Sequence, residues 1–313
     1  VAADEGRDGT AVVDARDGEA AVTLSAGATE FTVLPEVGLL GIALRHRGRD
    51  YLDALGGSAA ARGGHTAGLP LLAPWANRLS GPTYRVGTRT VPVVDASLHR
   101  DANGLPIHGT MIGRRGWEIV SLRTQTGSAS MIARFDAGDD DEVMASFPFR
   151  HELVVGFTVT PGRLTVATSL FATGKRAVPV CFGWHPYFRL PEIARDRIRL
   201  GLPARHRLVL DDRGLPTGAE TNEPAELARF ADRELDDAYR LGRERQLMLV
   251  SGRRRLTVAL DRNYRFAQVY APAGSEFVAL EPMTASTDAL TRGETSMVEP
   301  GDRFTARFAI SLT

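Results

Sequence analysis

WEIVSLRT (Trp117–Thr124), SASMIARFD (Ser128–Asp136), HELVVGFTVT (His151–Thr160) and RLTVATSLF (Arg163–Phe171) follow one another within Trp117–Phe171. Each reads as a strand, and turns separate them. Strands repeated at this spacing predict a sandwich or barrel rather than βαβ units. Upstream, Ala21–Leu34 reads as a pair of strands around Gly27, and GLLGIAL (Gly38–Leu44) as another. Downstream, Arg205–Leu210, Leu256–Leu260, Phe266–Tyr270 and Phe304–Leu312 carry strand character. No long amphipathic helical period occurs, and only Glu192–Arg197 and Glu226–Arg233 suggest short helical turns. Gly56–Gly68 is small and Gly-rich, a surface loop, and His65 within it is given no role.

The expected fold is therefore all-β, a large antiparallel β-sandwich. No Pro/Gly/Ser-rich linker and no clear repeat divides the chain. Residues 1–20 are rich in Asp, Gly and Ala and are expected to be a poorly ordered lead-in, with residues 21–313 forming a single domain.

The 313 residues contain 38 basic and 38 acidic side chains. This balance gives no support for nucleic acid or an anionic membrane as main partner. Cys181 is the one cysteine, so neither an intrachain disulfide nor a cysteine-built zinc site is possible. His151-Glu152 lacks the second histidine of an HExxH zinc motif, and no metal is expected. No apolar run is long enough to span a membrane, and the N-terminal stretch has no apolar signal core. A cytoplasmic enzyme is expected.

Two stretches carry candidate chemistry. VALEPMTA (Val278–Ala285) opens as a short buried strand and reaches Glu281 just before Pro282. Proline donates no ladder hydrogen bond, so the strand is expected to end or turn there. Burial at such a place raises a carboxyl towards the working range of a general base. The alternative is a strand-end Glu paired with an arginine. CFGWHPYF (Cys181–Phe188) sets His185 among aromatics, again before a proline. An acid/base pair results if the fold brings Glu281 and His185 together. In GLPLLAPWANRLSGPTYRVG (Gly68–Gly87), Pro70, Pro74 and Pro82 forbid a regular helix. Arg78 there is a planar donor fork aimed at a polyol or carboxylate, or a structural arginine paired with an acid. At His108, before Gly109, the backbone can turn sharply and expose the imidazole; the alternative is a satisfied turn histidine.

NRLSGPTY (Asn77–Tyr84), IHG (Ile107–Gly109), FGWHPYF (Phe182–Phe188), LDDAY (Leu235–Tyr239), AQVY (Ala267–Tyr270) and ALEPMT (Ala279–Thr284), in this order, resemble the aldose 1-epimerases, the galactose mutarotases. The resemblance runs from about Thr23 to the C-terminus. It implies a galactose mutarotase-like supersandwich with a sugar site on one concave face. It also implies roles: Glu281 as general base, His185 as general acid and His108 as a second active-site histidine near the ring oxygen. Arg78 becomes the substrate-positioning arginine with Asn77 beside it, Asp236 an acid bonded to a sugar hydroxyl, and Gln268 a polar neighbour of the base. Asp237, next to Asp236, leaves that register open by one. Many relatives have His where Asp237 stands, and Cys-Pro-Pro-Asn where this chain has Ala285, Ser286, Thr287 and Asp288.

The implied reaction opens and recloses a pyranose. Glu281 takes the C1 hydroxyl proton while protonated His185, on the opposite side of the sugar, donates to the ring oxygen. No cofactor is required, and the partner is a small-molecule sugar. Two rivals stand beside this reading. A hexose-6-phosphate mutarotase would need a cationic pocket, with Arg62, Arg114 and Arg115 as candidates. A non-catalytic carbohydrate-binding protein would keep the fold without the chemistry. Oligomeric state is not legible.

Overall fold

The computed structural model describes residues 9–16, 18–94 and 98–313. Burial alternates along the long strands. Along His151–Thr160, the side chains of His151, Leu153, Val155, Phe157 and Val159 point inward. Along Arg163–Ala172, Leu164, Val166, Thr168, Leu170 and Ala172 do so. Antiparallel register sets Phe157 opposite Val166 and Val155 opposite Thr168, so both strands bury the same face.

These strands belong to a nine-stranded sheet in the order Glu226–Arg229, Arg199–Leu202, Gln246–Ser251, Arg254–Leu260, Arg303–Leu312, Arg163–Ala172, His151–Thr160, Ser128–Asp136, Glu118–Gln125. An eight-stranded sheet runs Pro216–Glu223, Arg205–Leu210, Leu235–Leu241, Phe266–Ala271, Val278–Met283, Gly183–Trp184, Leu71–Leu72, with Tyr187–Phe188 as a further partner of Val278–Met283. A five-stranded sheet, Thr10–Arg16 to Arg49–Asp50, comes from the N-terminal part of the chain.

Trp184 ties the two large sheets together. Its ring packs edge-on against Phe157 and Phe308 at 5.9 and 6.1 Å, and its Nε1 donates to Thr168 Oγ1 at 3.0 Å. His185, the next residue, turns away from this core towards the opposite face of the eight-stranded sheet, as strand alternation requires.

Three local expectations are corrected. Thr10–Arg16, assigned to a poorly ordered lead-in, is a strand paired with Glu19–Ala26 around the turn at Gly18. Val12 and Val13 are 50% and 61% exposed; ladder hydrogen bonds hold this strand, so it carries no apolar period. Residues 1–8 lie outside the described residues. Within Gly56–Gly68, Gly57–Arg62 is a short helix, consistent with its Ala59-Ala60-Ala61 run. Glu226–Arg229 is an edge strand rather than a turn.

The strand carrying Glu281 does not end at Pro282 either; it runs to Met283. Thr284 N donates to Phe182 O at 3.0 Å. Two residues back on the same strand, the Pro282 nitrogen faces that same flank. There the neighbouring chain pairs at Gly183, opposite Met283, and next at Tyr187, opposite Ala279, so the register sets Pro282 opposite Trp184, the first residue of the gap. Proline's missing donor therefore falls where the ladder is already open.

His151 carries a consequence for acid stability. It is buried, its Nδ1 donates to Phe149 O at 2.7 Å, and burial lowers its pKa from 6.5 to about 4. The unfolded chain takes up the proton first, so stability is full above pH 6.5 and is lost as pH falls towards 4. Between pH 7 and pH 5 this residue should cost about 2 kcal/mol. Urea unfolding of wild type and His151→Gln at both pH values should show a smaller acid loss in the variant; equal losses would contradict the assignment.

Candidate active site

One face of the eight-stranded sheet borders a cavity of about 210 Å³, with Asn77, Arg78, His108, His185, Asp236, Gln268 and Glu281 in its lining. This is small beside the ~300–1,000 Å³ of pockets for drug-sized ligands, and suits a compact one. All seven residues singled out from the sequence thus meet in one place.

Strand register does much of this. Gln268 and Glu281 are direct cross-strand partners, so their side chains emerge together on one face. Asp236 sits opposite Tyr270 on the next strand, one step along the same face, and its Oδ1 accepts from Gln268 Nε2 at 2.6 Å. Asp237 points away, accepting from the Tyr239 hydroxyl at 3.2 Å and lying 3.6 Å from Arg207. The register left open in the sequence is therefore resolved geometrically: Asp236 lines the cavity.

Loops supply the other wall. Asn77 and His108 both adopt left-handed backbone conformations, with φ of 60° and 66°, a region Asn and His enter more readily than most non-glycine residues. They face each other: His108 N donates to Asn77 O at 3.1 Å, and Asn77 N to His108 Nδ1 at 3.3 Å. With Nδ1 accepting, the proton of the neutral imidazole sits on Nε2. Gly109 makes this approach possible, since a Cβ there would lie 2.2 Å from Ala73 O. The His108 imidazole is not turned out to solvent; it is 8% exposed.

At the base of the cavity, His185 Nε2 lies 3.2 Å from Glu281 Oε1. The two groups are side by side, not on opposite sides of a ligand. His185 stacks on Tyr187 at 4.4 Å and meets His108 edge-on at 5.4 Å. Tyr187 is held by a hydrogen bond between its hydroxyl and Thr66 Oγ1. Glu281 Oε2, His185 Nδ1 and Gln268 Oε1 are buried without a hydrogen-bond partner among the described residues. Orphaned polar atoms of this kind are costly unless a ligand engages them.

Burial works against charge on both members of the pair. It drives Glu281 well above its ordinary 4.5, with the Asp236 carboxylate adding to the rise and Arg78 opposing it. It lowers His185 from 6.5 to about 3. His108 is pushed well below 6.5 by burial and then by His185, His99 and Arg78. Burial thus disfavours the imidazolium form of His185 in the ligand-free protein.

Arg78 is held by Asp101, whose Oδ2 accepts from Nε at 2.7 Å. Burial raises the Asp101 pKa, but the Arg78 hydrogen bond and two backbone N–H groups outweigh it and keep the carboxyl below its usual range. Asp101, Thr66, His99, Tyr187 and Tyr270 also line the cavity, and the sequence reading assigned none of them. Tyr187 and Tyr270 stood inside quoted motifs but were given no role. His65 packs edge-on against His99 at 5.4 Å.

Arg62, Arg114 and Arg115, the candidates for a phosphate pocket, line a neighbouring cleft of about 620 Å³ that shares His99 with the cavity. Arg62 is paired with Glu19 at 2.9 Å, and Arg114 with Glu142 at 2.9 Å and Asp140 at 3.4 Å. Among the described residues, no helix is long and apolar enough to cross a membrane.

The comparisons with known proteins bear on this constellation. No curated protein matches the chain. Among solved structures, a galactose mutarotase-like protein from Clostridium acetobutylicum superposes with a TM-score of 0.87 at 17% identity, covering 98% of this chain and 99% of that one. Galactose 1-epimerase from Lactobacillus acidophilus NCFM gives 0.75 at 15% identity, covering 97% and 98%. An aldose epimerase homologue from C. elegans gives 0.73 at 17%, covering 97% and 99%. At these identities the likeness shows a shared galactose mutarotase-like fold. The family model for aldose 1-epimerase matches residues 46–311, a span that contains every residue of the cavity. By that match the chain belongs to the aldose 1-epimerase family.

Proposed function

We propose that the protein is an aldose 1-epimerase that interconverts the α and β anomers of free hexopyranoses such as galactose and glucose. The observation that carries this reading is the Glu281–His185 contact of 3.2 Å at the base of a sugar-sized cavity. The hydroxyl oxygen O1 and ring oxygen O5 of a pyranose are both bonded to C1. An acid and a base that are neighbours reach both.

Glu281 and His185 share one proton, which keeps the buried pair neutral overall. Without sugar, burial favours a protonated carboxyl beside a neutral imidazole. A sugar hydroxyl donating to Glu281 Oε2 favours the carboxylate, and the shared proton moves to His185 Nε2. Glu281 then takes the proton of O1. An O1 lone pair forms the C1 carbonyl, the C1–O5 bond breaks, and His185 gives its proton to O5. Rotation about C1–C2 and the reverse transfers yield the other anomer. Electrons and protons balance without a cofactor. His108 donates from Nε2 to a sugar oxygen, and Arg78, Asp236, Gln268 and Asn77 hold the remaining hydroxyls. We further propose that residues 21–313 act as a single domain with a small-molecule sugar as partner.

A hexose 6-phosphate is a second reading, favoured by the arginine-lined cleft that shares His99. Glu19, Asp140 and Glu142 already balance Arg62 and Arg114, so free sugar is preferred. Anomer exchange measured on glucose and glucose 6-phosphate separates the two. A higher kcat/KM on glucose is expected, and the reverse order would transfer the proposal to the phosphate ester.

A further inference from the structure

The segments DANGLP (Asp101–Pro106) and DDRGLP (Asp211–Pro216) share the pattern Asp-x-x-Gly-Leu-Pro, and they fold into the same turn. In the first, Asp101 Oδ1 accepts from Asn103 N and Leu105 N, both at 2.9 Å. Gly104 N donates to Asp101 O, and Asp101 N to Leu105 O. In the second, Asp211 Oδ1 accepts from Arg213 N and Leu215 N at 2.9 Å, with the same two backbone bonds to Gly214 and Leu215. Aspartate closing its own turn in this way makes a rigid loop.

Both turns close on Arg78. The first presents Asp101 Oδ2 to Nε at 2.7 Å. The second presents Gly214, at φ 74°, so closely that a Cβ there would lie 3.0 Å from Arg78 Nη1 and 3.1 Å from Cζ. Nη1 also donates to Asn77 Oδ1 at 3.2 Å. Nη2, 3.7 Å from Asp236 Oδ2, is left on the cavity side without a close partner.

We infer that the two Asp-x-x-Gly-Leu-Pro turns form a clamp, in which Asp101 and Gly214 are positioning residues that aim the free edge of Arg78 at the sugar. This rests on the proposed sugar reaction. Guanidinium is a planar fork, so its usefulness depends on the direction of its plane. The clamp sets that direction before substrate arrives, which lowers the cost of ordering it on binding.

Asp101→Asn keeps an Oδ1 acceptor for its own turn and removes the charge facing Nε. Gly214→Ala leaves the carboxylate and displaces the guanidinium. Steady-state anomer exchange should show KM raised by ~10–100-fold in each, the worth of a charge-assisted hydrogen bond, with kcat little changed because the contact is made in ground and transition states alike. In an Arg78→Met background, neither change should alter KM further. A KM unchanged in the single variants, or raised by the same factor with and without Arg78, would overturn the clamp. A wild type that is folded but does not exchange anomers at all would instead overturn the functional reading, and the positioning role with it.

Discussion

Replacing Glu281 by glutamine is expected to lower kcat for anomer exchange by ~10²–10⁴-fold, the range for a positioned proton-transfer group. Glutamine matches the carboxyl in shape and retains hydrogen bonds to Oε1, but it cannot accept a proton from O1. Stability is expected to move the other way. Burial raises the folded pKa of Glu281 above its unfolded 4.5. The stability this provides is present below pH 4.5 and is lost as pH rises towards the folded value, because the unfolded chain releases its proton first. Glutamine never ionises, so the variant should be at least as stable as wild type at pH 7 by thermal unfolding. An inactive but folded variant therefore speaks to chemistry rather than to misfolding. Wild-type turnover in Glu281→Gln would remove this residue from the mechanism.

His185→Phe should cause a loss of similar size, ~10²–10⁴-fold, while keeping an aromatic ring stacked on Tyr187. Combining it with Glu281→Gln should cost little more than either change alone, because the two groups exchange protons as a unit. The pH dependence is the sharper sign. An unperturbed catalytic histidine would give an inflection near 6.5. Here burial lowers His185 to about 3 and drives Glu281 upward, so neither group keeps its ordinary pKa. The log of kcat/KM should show no inflection at the ordinary histidine position near 6.5. A step near 6.5 would mean that His185 titrates as an exposed imidazole and that the shared-proton description is wrong.

Much of this was legible in the sequence for a physical reason. Strand-like runs separated by turn residues recur through Trp117–Phe171, and each is a member of the nine-stranded sheet. Glu281 and His185 stood out because polar groups in apolar runs must be satisfied or functional. What was not legible depends on neighbours distant in the chain. Pro282 is tolerated inside its strand because the adjacent segment leaves the ladder after Gly183, at the position opposite Pro282. The choice between Asp236 and Asp237 is fixed by pairing with Tyr270 and Gln268, not by their own local pattern. Thr10–Arg16 has no buried side to mark it. Asp101 was hidden because its local turn already explains it; its second oxygen, turned to Arg78, is visible only in three dimensions.

Polarimetry of fresh α-D-galactose and α-D-glucose, with wild type and Glu281→Gln run side by side against the uncatalysed background, tests the central claim most directly. Acceleration by wild type, reduced by at least ~10²-fold in the variant, is the predicted result. No acceleration by wild type on either sugar or on the 6-phosphates, with sugar binding retained, would contradict it and leave a carbohydrate-binding protein on an epimerase fold.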